Sequence, residues 1–333
     1  MSDTIQPLPP VPDGIREAAQ RGILVPFIGA GVSKLAGCPD WKAFADGALL
    51  DIIHQGKLSH SQLDQISHLS PRVKLSLARA FEEEYGVSID FRKLLHPVDR
   101  HSHSAGRRLY CGLSRFAKTF VTTNYDEWLD DEIPETVLSV TRGEAVPEAP
   151  QDRRRTIVHR VQDLTPAVLD QPGTVVHLHG SLLEPSGLIL TTRDYVRHYA
   201  NDRSTRDPQD ENRILTFLEY LFDQRRVLFI GYGLEELEIL EYVILKARRN
   251  VAGPIHEAKH YLLQGFFSHQ EQLFRSLRRY YLRECGIELV PFLRDQKDWH
   301  QLLDVVESWA TLAPASEPLM LQKAQDMEDL LNG

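Results

Sequence analysis

The stretch ILVPFIGAGVS, residues 23–33, sets a short apolar run directly before a glycine turn and a helical pattern. Apolar and β-branched residues over 23–28 predict a buried strand, and glycines at 29 and 31 predict a tight strand-to-helix turn. At such a turn the missing side chains let backbone amides approach a pyrophosphate closely, while the following helix presents its positive N-terminal end. The same turn can also be a plain connection, so alone it leaves the function open. Pro26 has no amide to donate to a sheet, which predicts an irregular start to this strand. A hydride-transfer fingerprint would place a third glycine three residues after Gly31 and an acidic residue at the end of a second strand about 20 residues on. Lys34 holds the first place and Asp51 falls in a helical run, so an oxidoreductase is the lesser alternative.

Working outward, apolar runs at 119–123, 174–178, 227–230, 260–263 and 287–291 alternate with longer stretches of helical period. That alternation is the signature of βαβ units and a mainly parallel sheet. The fold class is therefore α/β: a Rossmann-like, mainly parallel sheet flanked by helices, with a helical insertion module and a C-terminal helix. Four strand ends lead into GAGVS, TNYD, HGS and GYG. Ligands of open α/β sheets bind at the carboxyl ends of strands, so the polar chemistry converges on one crevice.

The organisation expected is an N-terminal arm over residues 1–22, one α/β domain over 23–312 and a C-terminal helix over 313–333. A helical insertion, about 42–115, supplies one crossover helix and a module folded over the sheet's edge. Residues 132–169, rich in Pro, Arg and Asp, read as a surface excursion able to gate the crevice, and 201–212 as a polar loop. Near the C-terminus Met320, Ala324, Met327 and Leu331 form one apolar helical stripe, which packs on its own domain or serves as an assembly contact.

A formal charge of -9 on 333 residues disfavours a nucleic-acid or anionic-membrane role, because phosphate binding needs clustered Lys and Arg. Three scattered cysteines, Cys38, Cys111 and Cys285, build neither a disulfide framework nor a zinc ribbon, and fit a reducing cytoplasm. The first residues carry no signal-peptide pattern and the apolar runs are too short for a membrane span, so the expected location is cytoplasmic.

TTNYD, residues 122–126, puts an amide and a carboxylate two residues apart at a strand's end, where both can meet one ligand. Asn124 could equally close an Asx-turn on its own backbone. In VVHLHGS, residues 175–181, strand alternation would put His177 and His179 on one face. His179 beside Gly180 suits proton transfer, since its reference pKa of about 6.5 lies near neutrality. The pair also admits a metal, against which stands the lack of a carboxylate-rich companion motif; His177, one pleat deeper, reads as a satisfied core histidine. LFIGYGLEE, residues 228–236, repeats strand, Gly-x-Gly and helix, and could hold the far half of a two-part nucleotide.

Taken in order, GAGVS, then Pro39, Asp40 and Trp41, then TTNYD, LHGS and GYG, the chain resembles the sirtuin-like family over residues 23–292. The resemblance implies NAD as substrate. It implies that Gly29, Ala30, Gly31 and Ser33 line the phosphate and ribose site, with Asp40 and Thr123 also at the cofactor, and that Gly231 and Gly233 contact the adenosine side. It further implies a catalytic set of Asn124, which positions the ribose or the attacking water, Asp126 near the carboxamide, and His179 as base. Protein-deacylating members generally carry a four-cysteine zinc module, which is missing here, and usually read PDFR where this chain has Trp41 and Lys42. The pattern is more similar to the zinc-free bacterial anti-phage branch, which implies an NAD+ hydrolase with no metal, acting as a defence effector. Homo-oligomers, and partners such as a HerA-type ATPase or a short Argonaute, are implied by the same resemblance. A catalytically silent NAD- or ADP-ribose-binding subunit and an NAD-dependent deacylase or ADP-ribosyltransferase are the alternatives.

Overall fold

The structure, a computed structural model, describes residues 4–134, 152–199, 212–233 and 258–315. Among them are the strands β1 (Leu24–Ile28), β2 (Thr119–Thr122), β3 (Asp131–Glu132), β4 (Arg153–Arg154), β5 (Thr156–Val158), β6 (Thr174–His177), β7 (Arg226–Ile230), β8 (His260–Phe266) and β9 (Ile287–Leu293). Seven of them form one sheet in the order β5-β6-β2-β1-β7-β8-β9, every pairing parallel. The order turns back at β1: the chain adds β2, β6 and β5 on one side and β7, β8 and β9 on the other. This switch point is where open α/β sheets leave a crevice beyond their carboxyl ends.

Strand sequences here are near-continuous apolar runs because both faces are covered. Along β1, Leu24 and Ile28 enter one core while Val25 and Phe27 enter the other; Leu228 and Ile230 of β7 divide from Val227 and Phe229 in the same way. The first core lies under α1 (Asp13–Gln20), and two further helices described below close it. Pro26 pairs in register with Leu228 of β7, but the ladder to β2 begins only at Phe27 and Ile28. The missing amide thus falls where that ladder has not yet started, which is the irregular start the proline called for.

The described residues of the arm, 4–22, are built into the domain rather than laid over it. Ile15, Ala18 and Ala19 of α1 are buried in the first core. The carbonyls of Pro7 and Pro9 accept from Gln301 Nε2 at 3.1 Å and Trp309 Nε1 at 2.8 Å.

After β1 come α2 (Ala30–Leu35), α3 (Trp41–His54), α4 (His60–Gln65), α5 (Pro71–Tyr85), α6 (Phe91–Leu95) and α7 (Ser104–Phe116). α7 is the crossover helix into β2. It packs against the last helix described, Gln301–Leu312, to finish the first core. α3 to α6 form a module with its own core, where Phe44, Leu49, Leu75 and Phe91 pack together with Tyr125, Leu188 and Leu190 from beyond the strand ends. Local signals start and stop these helices: Asp40 caps α3 by accepting from Ala43 N, Pro71 opens α5 behind a Ser70 cap, and Gly86 ends it at φ 63°. Lys74 of α5 is buried and paired to Asp46 of α3 at 2.6 Å.

The described residues of the excursion expected at 132–169 include strands. β3 and β4 pair antiparallel, and β5 adds an edge strand beside β6, with Ile157 opposite Val175. Three residues of TIV are too short to announce a strand by periodicity; an existing parallel edge recruits them. α8 (Thr192–Tyr199), α9 (Arg213–Gln224), α10 (Glu271–Tyr280) and α11 (Gln301–Leu312) complete the α-helices among the described residues, with α9 and α10 covering the second core. Asn212 caps α9. Of the loop expected over 201–212, all but Asn212 lies outside the described residues, as does the stripe of Met320, Ala324, Met327 and Leu331.

Candidate functional site

The carboxyl ends of β1 and β7 are locked together by glycines. Gly29 N donates to the Ile230 carbonyl at 2.9 Å and Gly31 N to the Gly231 carbonyl at 2.8 Å. Gly231 has φ 75°, and a Cβ there would lie 2.6 Å from Val32 N; one on Gly29 or Gly31 would lie 2.7 or 2.8 Å from the Gly231 carbonyl. These three positions need glycine so that two turns can touch. The amides of Gly29 and Gly31 are therefore engaged with protein, and Ala30 and Ser33 are the members of the first motif that face the cavity described below.

The end of β2 supplies the polar centre. Thr122 Oγ1 donates to the Ile28 carbonyl at 2.8 Å and accepts from Asn124 N at 2.9 Å, which fixes the turn. Asn124 Nδ2 donates to the Gly29 carbonyl at 3.0 Å and to Ser33 Oγ at 2.7 Å. A carbonyl can only accept, so the amide nitrogen must face Gly29, both its hydrogens are used, and Oδ1 is left as an acceptor. Ser33 Oγ in turn donates to Asp126 Oδ2 at 2.6 Å, and Asp126 Oδ1 accepts from Trp128 N at 3.1 Å. The local Asx-type bond thus belongs to Asp126, whereas the Asn124 side chain reaches across to β1. Thr123 Oγ1 lies 2.8 Å from Tyr232 Oη, joining the β2 and β7 turns.

β6 ends at His177, so strand alternation does not extend to His179. His177 is buried, with Nδ1 2.9 Å from the Asn124 carbonyl and Nε2 3.0 Å from Asp130 Oδ1. Burial opposes charge on this ring, but the hydrogen bond and charge of Asp130, the Asn124 carbonyl and the charge of Asp126 outweigh it and raise its pKa. His179 stands in the turn before Gly180, whose φ is 86°. Its Nε2 is 2.8 Å from Tyr199 Oη and its Nδ1 is 3.4 Å from Tyr195 Oη. Burial first, then the charges of Arg72 and His198, bring its pKa down to about 3, against a smaller upward pull from the Thr123 carbonyl. The ring is neutral at physiological pH.

Ala30, Ser33, Thr123, Asn124, Asp126 and His179 line one cavity of about 380 Å³, within the ~300–1,000 Å³ typical of small-ligand sites. Asp40 does not line it: it caps α3 and pairs with Lys34 at 3.0 Å, while its neighbours Pro39 and Trp41 reach the wall. Gly233 closes the described part of the β7 turn, and residues 234–257 lie outside the described residues. Sequence reasoning missed Arg72, Tyr195, Tyr199 and Tyr232, all on the cavity wall. Tyr195 and Tyr199 are spaced four apart on α8 and so share a face, a readable signal once α8 is known to lie over His179. Arg72 sits on α5 of the insertion, where nothing local marks it. Among the described residues no group of three His, Cys, Asp or Glu side chains is placed to hold a metal ion.

A family model for the SIR2-like domain matches residues 118–290, just over half of the chain. The chain belongs to the SIR2-like family. No curated protein matches it. SIR2-like domains use NAD, and the family's members are generally NAD-dependent enzymes. The SIR2-like match begins at β2 and ends in β9, so it contains Asn124, Asp126 and His179. The glycine turn after β1 lies upstream of it and is tied to it by the Gly29, Gly31 and Ser33 hydrogen bonds.

Proposed function

We propose that this chain is an NAD+ glycohydrolase that releases nicotinamide and leaves ADP-ribose. The observation that carries the proposal is the cavity at the switch point, which Asn124, Asp126 and a neutral His179 line together. Breaking the bond between nicotinamide and ribose builds positive, oxocarbenium-like charge on the sugar. The Asn124 oxygen, held by two hydrogen bonds on its own amide nitrogen, accepts from a ribose hydroxyl or from the attacking water, and the fixed position lowers the entropic part of the barrier. The negative charge of Asp126 favours the developing cation. His179, uncharged, has a lone pair ready to take a proton. In this proposal Ala30 and Ser33 meet the ribose and first phosphate. Gly29, Gly31 and Gly231 set the floor beneath them, Thr123 sits beside the sugar, and Gly233 lies toward the adenosine. Asp40 contributes through the position of Trp41.

Water as the acceptor is supported by the cysteine count, since three cysteines cannot form the four-cysteine zinc module of protein deacylases. The same feature supports a place in the zinc-free bacterial anti-phage branch, with activity held back until the chain assembles with copies of itself or with an ATPase or Argonaute partner.

Purified protein incubated with NAD, alone and with candidate partners, and followed by chromatography, is expected to yield nicotinamide and ADP-ribose. Asn124→Ala and His179→Ala are each expected to lower turnover by about 10²-fold or more while remaining folded. Wild-type turnover in both variants would refute the proposal. NAD binding with no turnover in any assembly state would point to a sensor subunit, and release dependent on an acylated peptide to a deacylase.

A further inference from the structure

We infer that Tyr199 is a catalytic residue: it is the phenol through which protons pass between the reacting water and His179. This rests on the hydrolase proposal above and assigns a further residue to that site. Both ring nitrogens of His179 already face phenols, Nε2 toward Tyr199 Oη at 2.8 Å and Nδ1 toward Tyr195 Oη at 3.4 Å. A neutral imidazole has one N–H and one lone pair. The relay uses the tautomer with the ring proton on Nδ1, in which Tyr199 donates and the Nε2 lone pair accepts across the 2.8 Å contact. Tyr199 also lines the cavity, so with α8 in place a proton bound for Nε2 arrives by way of its hydroxyl.

The helix that carries Tyr199 is anchored for such a role. Thr191 Oγ1 accepts from Asp194 N at 3.1 Å and Asp194 Oδ2 accepts from Thr191 N at 2.9 Å, a reciprocal cap at the start of α8. At its other end Asn212 Nδ2 donates to the His198 carbonyl at 2.8 Å. The Arg72 guanidinium lies 3.9 Å from the centre of the Tyr195 ring, and Tyr195 stacks on Tyr199 with ring centres 5.9 Å apart. Burial and the neighbouring Tyr195 push the Tyr199 phenol well above its ordinary range, so a free phenolate is not formed and the hydroxyl must gain one proton as it gives up the other.

The step balances as follows. The water oxygen bonds to C1′ of the ribose as the C1′–N bond breaks, and that electron pair neutralises the nicotinamide nitrogen. The water's proton moves to Tyr199 Oη while the Tyr199 proton moves to His179 Nε2. His179 then releases it to solvent, so that NAD+ and water give ADP-ribose, nicotinamide and one proton.

The test uses the full chain, in the assembly state in which the wild type is active, with NAD as the probe. Tyr199→Phe keeps the ring and removes only the hydroxyl. Its kcat is expected to fall by about 10²-fold, with KM within about threefold of the wild type. The double variant Tyr199→Phe/His179→Ala is expected to be no slower than the slower single variant, because the two groups act on one proton. Unchanged or increased turnover in Tyr199→Phe overturns the relay, an increase meaning that the tyrosine blocks the site. Losses that multiply in the double variant overturn it as well. A wild-type protein that releases no nicotinamide overturns the hydrolase proposal itself and the relay with it, which separates the two failures.

Discussion

Ser33 is the residue on which the polar centre turns, because its single hydroxyl accepts from Asn124 and donates to Asp126. All three side chains are buried. Ser33→Ala strands an amide hydrogen and a carboxylate oxygen at once, a loss of about 1–3 kcal/mol. It also frees the Asn124 amide to turn. The expected outcome is a lower urea midpoint together with slower nicotinamide release; a midpoint equal to the wild type would mean that water replaces the hydroxyl without loss. At this scale the sequence was legible as to which residues gather: Ser33, Asn124, Asp126 and His179 all follow strands and all reach one cavity. It could not say that the amides of Gly29 and Gly31 are used up in docking the β7 turn, since their acceptors lie about 200 residues away. Nor could it place Arg72 or Tyr199, which depend on where the insertion and α8 come to rest.

Among the elements, the α3–α5 pair shows how the insertion is held over the crevice. Lys74 is buried, and Asp46, about one-third exposed, is its partner at 2.6 Å. Asp46→Ala leaves an ammonium in an apolar setting and is expected to destabilise the module by about 1.5–3 kcal/mol. Adding Lys74→Met to that background is expected to recover most of the loss, because an apolar side chain of similar length has no charge to desolvate. Hydrogen exchange over residues 41–95 would show the change first. Equal exchange in the single variant and the wild type would mean that the ion pair contributes nothing. The helices of this module could be read from their period and caps. β5 could not, since a three-residue strand exists only because the β6 edge is there to pair with it, and residues without their own periodicity take the structure their neighbours offer.

Across the whole molecule, two histidines on the same strand end push stability in opposite directions with pH. His179 has its pKa lowered to about 3, so from about pH 6.5, the ordinary histidine value, downward the unfolded chain takes up a proton that the folded chain refuses. Its contribution is full above that value and is lost as the pH falls toward 3. His177 has a raised pKa, with both ring nitrogens facing acceptors, the Asn124 carbonyl and Asp130, which only the doubly protonated ring can satisfy. Its contribution is full below about pH 6.5 and is lost as the pH rises through the raised value. The folded state is therefore expected to be most stable near pH 6.5, with the urea midpoint falling below that pH and falling again as the pH rises through the raised His177 value. His177→Gln cannot be charged and is expected to flatten the alkaline side while leaving the acid side in place. An alkaline fall that persists unchanged in His177→Gln would assign it to other groups. Since His177 holds the carbonyl of Asn124, nicotinamide release is expected to decline along the same alkaline limb, so one buried proton links the stability of the carboxyl end of β6 to the chemistry above it.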